Sequence, residues 1–198
     1  EDIVSERLET LYRMTSGTKG LDVVIASAVT AAQRMAPVAY VGANTFFFRP
    51  GDTLSVEGLR SNLAAAGYAG VKQVLAAGEF AVRGSIIDVF PMGSDRPFRL
   101  DLFDDEIESI RWFDVETQRS MEAVNEIRLL PGHEFPVTPE AVTGFRQRWR
   151  TRFAGDPGKS LVYRDIGNGV LPPGIEYYLP LFFEQTATLA DYLSAGTR

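Results

Sequence analysis

The sequence contains no cysteine and a single histidine, His133. Without cysteine there can be no disulfide and no thiolate metal site, a composition that fits a reducing compartment. With one histidine, and no serine in a recognisable nucleophile motif, no acyl-transfer machinery can be placed. His133 follows Pro131-Gly132 and reads as structural. No apolar run approaches the length of a membrane span, and no signal peptide opens the chain, so a cytoplasmic location is expected. There is no excess of positive charge either. The net charge of −6 argues against a surface devoted to nucleic acid, leaving only local basic patches for that purpose. The first residue is Glu rather than Met, so the chain is expected to be a fragment of a longer protein. No internal repeat or low-complexity tract is found.

What is present is enough for a core. Hydrophobic residues make up 45% of 198 positions and charged residues 23%, which excludes wholesale disorder and allows one large domain or two small ones. Residues 3–14 carry Val4, Leu8, Leu11 and Tyr12 on one helical side, and Gly17 to Gly20 breaks that helix. Leu21 to Ala26 reads as a buried strand. Ser27 can cap a short helix through Met35, with Pro37 stopping it. Phe46 to Arg49 reads as a strand. Ser55 caps a helix from Val56 to about Ala66 that turns Leu59 and Leu63 inward, and Gly67 ends it. Thr138 and Pro139 start a helix with Val142, Phe145, Trp149 and Phe153 along one stripe and four arginines opposite. A further short helix is expected through Val162 to Ile166.

Residues 78–114 hold strand periodicity through successive runs. Phe80 to Arg83 alternates, Ile86 to Phe90 is apolar enough for a covered strand, and Phe98 to Phe103 alternates again before Ile107 to Phe113. Gly84, the stretch Met92 to Pro97 and Asp104-Asp105 supply the turns, giving an antiparallel meander. In the run from Phe98, parity places Phe98, Leu100 and Leu102 on one face and Arg99, Asp101 and Phe103 on the other. An aromatic on a charged face is either covered by a second layer or exposed to a partner.

Other candidate chemistry is weak. Gly158-Lys159-Ser160 lacks the glycine five residues earlier that a phosphate loop needs, because Phe153 stands there. Asp101, Asp104, Asp105, Glu106 and Glu108 are acidic, but Asp104 and Asp105 have backbone reasons to occupy a turn. Arg146, Arg148, Arg150 and Arg152 could meet phosphates, or could form a solvated or partner-facing helix. Neither a metal nor a cofactor is expected, and nothing points to an enzyme.

The runs Gly78–Ser94 and Phe98–Ser120, continued through Asn125–Pro131, His133–Pro136 and Leu171–Phe183, resemble the UvrB-like module of bacterial transcription-repair coupling factors. UvrB carries a similar F-x-V-R-G-x-x-I-D-I-F-P run, but the Met92-Gly93-Ser94 turn and the Leu171–Phe183 block favour the coupling factors. The alternative is a DNA-contacting UvrB fragment, and against it no aromatic DNA-gripping hairpin of the UvrB kind is found between 28 and 44. The resemblance implies an α/β fold. It comprises the end of a helicase-like lobe at 1–44, an inserted α+β docking domain at 45–131 (antiparallel meander plus helix) and a mostly helical return at 132–198. It implies docking to UvrA, with RNA polymerase and DNA met by other parts of a full-length ATP-dependent translocase. The family's contact positions fall on Arg83, Arg99 and Phe103, and its acidic contact positions on Asp101 and Glu108. Where UvrB has a further arginine two residues before its Arg-Gly, this chain has Ala81.

Overall fold

A computed structural model describes residues 2–16 and 23–193. The helices are α1 (Asp2–Thr15), α2 (Ala28–Ala32), α3 (Val38–Ala43), α4 (Val56–Ala65), α5 (Pro139–Arg152) and α6 (Leu161–Gly167). The strands are β1 (Phe46–Phe48), β2 (Ala69–Gly70), β3 (Glu79–Arg83), β4 (Ile86–Phe90), β5 (Phe98–Phe103), β6 (Glu106–Phe113), β7 (Ser120–Ala123) and β8 (Ile127–Leu129). Two compact units result. One is Ala43–His133 with the start of α1, and the other is Leu11–Gly42 with the residues from Glu134 onward.

The first unit holds both sheets. Strands β2 to β7 lie in sequence order in a six-stranded sheet, antiparallel from β3 on, while β1 and β8 pair in a separate ribbon. The expected meander is therefore present, and its register shows why it forms. Leu100 stands between Ile87 and Ile110, and Phe80 opposite Val89; this face is apolar and almost wholly buried. Fully burying a branched or aromatic side chain of this kind stabilises by about 1.5–3 kcal/mol. Between Asp101 and Leu102 the pairing with β6 slips, so that Asp101 faces Ser109 but Leu102 faces Ile107. The extra residue is Glu108. This bulge lets both Ile107 and Ile110 turn into the core although they are three positions apart.

The turns follow from residue type. Gly84 takes φ +62° in the two-residue link between β3 and β4, a conformation that costs glycine least. Asp104 takes φ +55° between β5 and β6, where Asp is tolerated better than most side chains. That tip is pinned from outside the meander, since the Leu54 amide donates to the Asp105 carbonyl (2.6 Å) and the Ile107 amide to the Asp52 carbonyl (2.9 Å). Ser55 caps α4 by accepting from the Gly58 amide at 3.2 Å, and Leu59 and Leu63 are buried as expected.

The second unit is built on a cluster of Phe135, Phe145, Trp149, Tyr163, Ile166, Ile175, Leu181 and Phe182. Thr138 caps α5 as its sequence requires, accepting from the Ala141 amide at 3.3 Å. Ser160 caps α6 in the same way, through the Tyr163 amide. Leu171–Phe183 contains a 3₁₀ segment, Ile175–Leu181, that contributes Ile175 and Leu181 to the cluster.

Two expectations are corrected. The strand expected at Leu21–Ala26 is not formed over its described part, Val23 to Ala26. Leu21 and Asp22, with the expected break at Gly17 to Gly20, lie outside the described residues, and Val23 to Ala26 are irregular, with Ile25 93% exposed. No strand pairs with this run among the described residues, and an unpaired strand leaves its backbone groups unmet. The helix after Ser27 stops at Ala32 rather than Met35, because Met35 pairs instead with Ala187. Strands β7 and β8 and helix α3 are additions to the expected elements. Among the described residues no helix is long and apolar enough to cross a membrane.

Candidate functional site

The two faces of the meander differ in kind. Opposite the apolar face, cross-strand pairing builds one row of Ala81, Asp88, Arg99 and Arg111, and a second of Arg83, Ile86, Asp101 and Ser109. Phe103 extends the same face along β5, opposite Glu106. The register thus brings Arg83 to the face already shared by Arg99, Asp101 and Phe103, although β3 and β5 are separated by β4.

Phe103 is 72% exposed, so no second layer covers it. Arg83 is half exposed, and Glu108 is exposed at the bulge. Asp101 is half buried and accepts from the Ser109 hydroxyl at 3.0 Å. Ile86, Asp101, Glu108 and Arg111 are among the residues lining an open groove of about 510 Å³ on this face.

Arg99 departs from expectation. Its side chain is only 13% exposed. Nε and Nη2 donate to the two oxygens of Asp88 at 2.6 and 2.9 Å, while Nη1 donates to the Gln118 carbonyl (3.1 Å) and the Ser120 hydroxyl (3.2 Å). The guanidinium also lies 4.9 Å from the centre of the Phe113 ring. Hydrogen bonding to Asp88 raises the pKa of Arg99 against the opposing effect of burial. The expectation that Arg83, Arg99 and Phe103 form one evenly exposed patch is therefore corrected at Arg99, whose donors are taken up by β4 and by the turn into β7.

The residue missed in the sequence is Asp88. It is 1% exposed, accepts from Arg83 as well as Arg99, and sits between buried Ile87 and Val89. A charge inside an apolar strand was the available signal. Buried carboxylates are tolerated only when paired, so a cation on a neighbouring strand was required.

The other candidates resolve into structural roles. Asp156 caps the Pro157–Lys159 turn by accepting from the Gly158 amide at 2.9 Å, placing a carboxylate where a phosphate loop would need an open cradle. Of the α5 arginines, Arg148 donates to the Leu181 carbonyl at 3.1 Å, and Arg146 lies 4.8 Å from the centre of the Tyr163 ring. Arg150, though exposed, also lies 5.8 Å from the centre of the Tyr163 ring, and Arg152 is exposed. His133 lies against Gly67, where an added Cβ would come within 2.5 Å of its ring. Asp104 and Asp105 form the hairpin tip described above.

Residues 46–135, which contain this face, match the family model of the UvrB interaction domain. The whole chain aligns with the transcription-repair-coupling factors of Haemophilus influenzae (46% identity) and Escherichia coli (44% identity). In the corresponding protein of Bacillus subtilis, 99% of the chain aligns at 29% identity. The chain spans 17% of the length of the first two relatives and 18% of the third.

Proposed function

Since residues 46–135 are a UvrB interaction domain and the chain as a whole is homologous to transcription-repair-coupling factors, we propose that the charged sheet face is a docking surface for UvrA. In this reading the chain is a non-catalytic adaptor. It recruits the damage-recognition ATPase of nucleotide excision repair to sites where RNA polymerase has stalled, while other parts of the full-length protein engage polymerase and DNA and hydrolyse ATP.

The observation that carries the reading is Phe103. A large aromatic 72% exposed on the sheet face that also carries Arg83, two positions along β5 from the Asp101 of Arg83's row, has the make-up of an interface hot spot. Charges of both signs around it favour one orientation of a partner and oppose others.

The test is binding of purified UvrA to this chain, measured at low and high salt. Phe103→Ala and Arg83→Ala are each expected to weaken binding by about thirtyfold, equivalent to about 2 kcal/mol. Binding of the unaltered chain should also fall as salt rises. Undiminished UvrA binding by both variants would place the docking surface elsewhere.

A further inference from the structure

Of the two arginines that share Asp88, Arg83 and Arg99, only one has hydrogen-bonding capacity to spare. Arg99 uses four of the five donors a guanidinium carries, two on Asp88, one on Gln118 and one on Ser120. Arg83 makes one such bond among the described residues, to Asp88, and its side chain is 49% exposed. Both meet at the same carboxylate. Asp88 Oδ1 accepts from Arg99, and Oδ2 accepts from Arg99 and Arg83 together.

We propose that Asp88 is a positioning residue for partner recognition. It holds the Arg83 guanidinium in place, and Arg99 acts only through Asp88, so that Arg83 alone of the pair meets the partner. The proposal rests on the docking reading above and refines its contact set. The group Arg83 would receive is an acidic side chain, because four N–H donors on a cation favour a carboxylate.

The physical basis is preorganisation. A free arginine on an edge-facing position must lose its rotamer freedom when a partner binds, and that loss subtracts from affinity. Asp88 removes part of that freedom in advance. It can do so only because Arg99 holds it fixed. The fork from Nε and Nη2 fits one carboxylate geometry, and the Phe113 ring and the Gln118 carbonyl hold the fork in turn. The trio carries one net positive charge, which leaves the face able to attract an anion although it contains a buried carboxylate.

A purely structural Asp88 would behave differently, and a double-mutant cycle separates the two. UvrA affinity is measured for Asp88→Asn, Arg83→Ala and the two combined, with melting temperature followed in each. Asp88→Asn is expected to weaken binding about tenfold in the original background and less than twofold when Arg83 is already alanine, since its effect passes through Arg83. Equal losses in both backgrounds would overturn the proposal. Arg99→Lys provides a second arm that retains a cation facing Asp88 but lacks the fork. Its effect must also vanish with Arg83→Ala, and a loss persisting there would make Arg99 a direct contact. Relaxation of the Arg83 Nε–H resonance gives a readout independent of UvrA. Restraint in the unaltered chain, lost in Asp88→Asn, supports positioning even if UvrA binds none of the proteins and the docking reading itself fails. Equal mobility in both would overturn it.

Discussion

The Tyr68 hydroxyl donates to the Leu130 carbonyl at 2.6 Å, joining the exit of α4 to the end of β8 across 62 positions of sequence. The same oxygen accepts from the Met92 amide at 3.1 Å, at the end of β4. All three residues are buried, and burial pushes the phenol far above its ordinary pKa, so it acts as a neutral donor at any working pH. One hydroxyl thus satisfies two backbone groups that water cannot reach.

Removing it isolates both groups. Tyr68→Phe keeps the ring but leaves a buried carbonyl and a buried amide without this partner, at a cost of about 1–3 kcal/mol. Chemical denaturation should show a lower midpoint with an unchanged slope. UvrA affinity of the folded protein should stay as it was, because Tyr68 is buried and is not on the charged sheet face.

Arg99→Ala and Phe103→Ala should differ sharply in their effect on stability. The first leaves Asp88 with Arg83 as its one cation, a loss of about 2–4 kcal/mol and several degrees in melting temperature. The second removes a side chain already in water and should change stability by about 0.5 kcal/mol or less. A large fall in melting temperature for Phe103→Ala would show that it is packed after all.

Gly67→Ala should be costly for two reasons at one position. Gly67 has φ +92°, and an added Cβ would meet the His133 ring at 2.5 Å and its backbone nitrogen at 3.3 Å. About 2 kcal/mol of destabilisation is expected, read from thermal or denaturant unfolding.

Asp114 should titrate below its ordinary value of 3.8, because the Thr117 amide and hydroxyl both donate to its Oδ1 at 2.7 Å. A depressed carboxylate pKa means that its contribution to stability is present above the unfolded value and lost as pH falls through the folded one. Carbon-detected NMR titration should place the midpoint below 3.8, and Thr117→Ala should move it upward.

The meander and the helix caps were legible because each depends on local pattern. Alternation over Phe98–Phe103 settled which residues share a face, and Ser55 and Thr138 announced their helices by residue type. Exposure at Arg99 was not legible. It depends on Gln118 and Ser120, about twenty positions downstream, and Ser120 begins a strand too polar to stand out in the sequence. The Ser120–Ala123 and Ile127–Leu129 strands are short enough that pairing, rather than pattern, defines them. Val23–Ala26 misled for the complementary reason, since an apolar run forms a strand only where another strand receives it, and none does among the described residues. Asp88 required register. Its proximity to Arg99 follows from the length of the Met92–Pro97 turn, which periodicity alone does not measure.

The pairing of β1 with β8 brings Phe46 opposite Leu129, so the stretch between them begins and ends at adjacent strands about 5 Å apart. Entry and exit at one point make that stretch a cassette. A few glycines joining Leu129 to Phe46, with new termini opened in the Ser94–Arg96 turn, would give a circular permutant that preserves every strand pairing of the six-stranded sheet. Such a permutant could be transplanted through its new ends into an unrelated host protein, carrying the charged face with it.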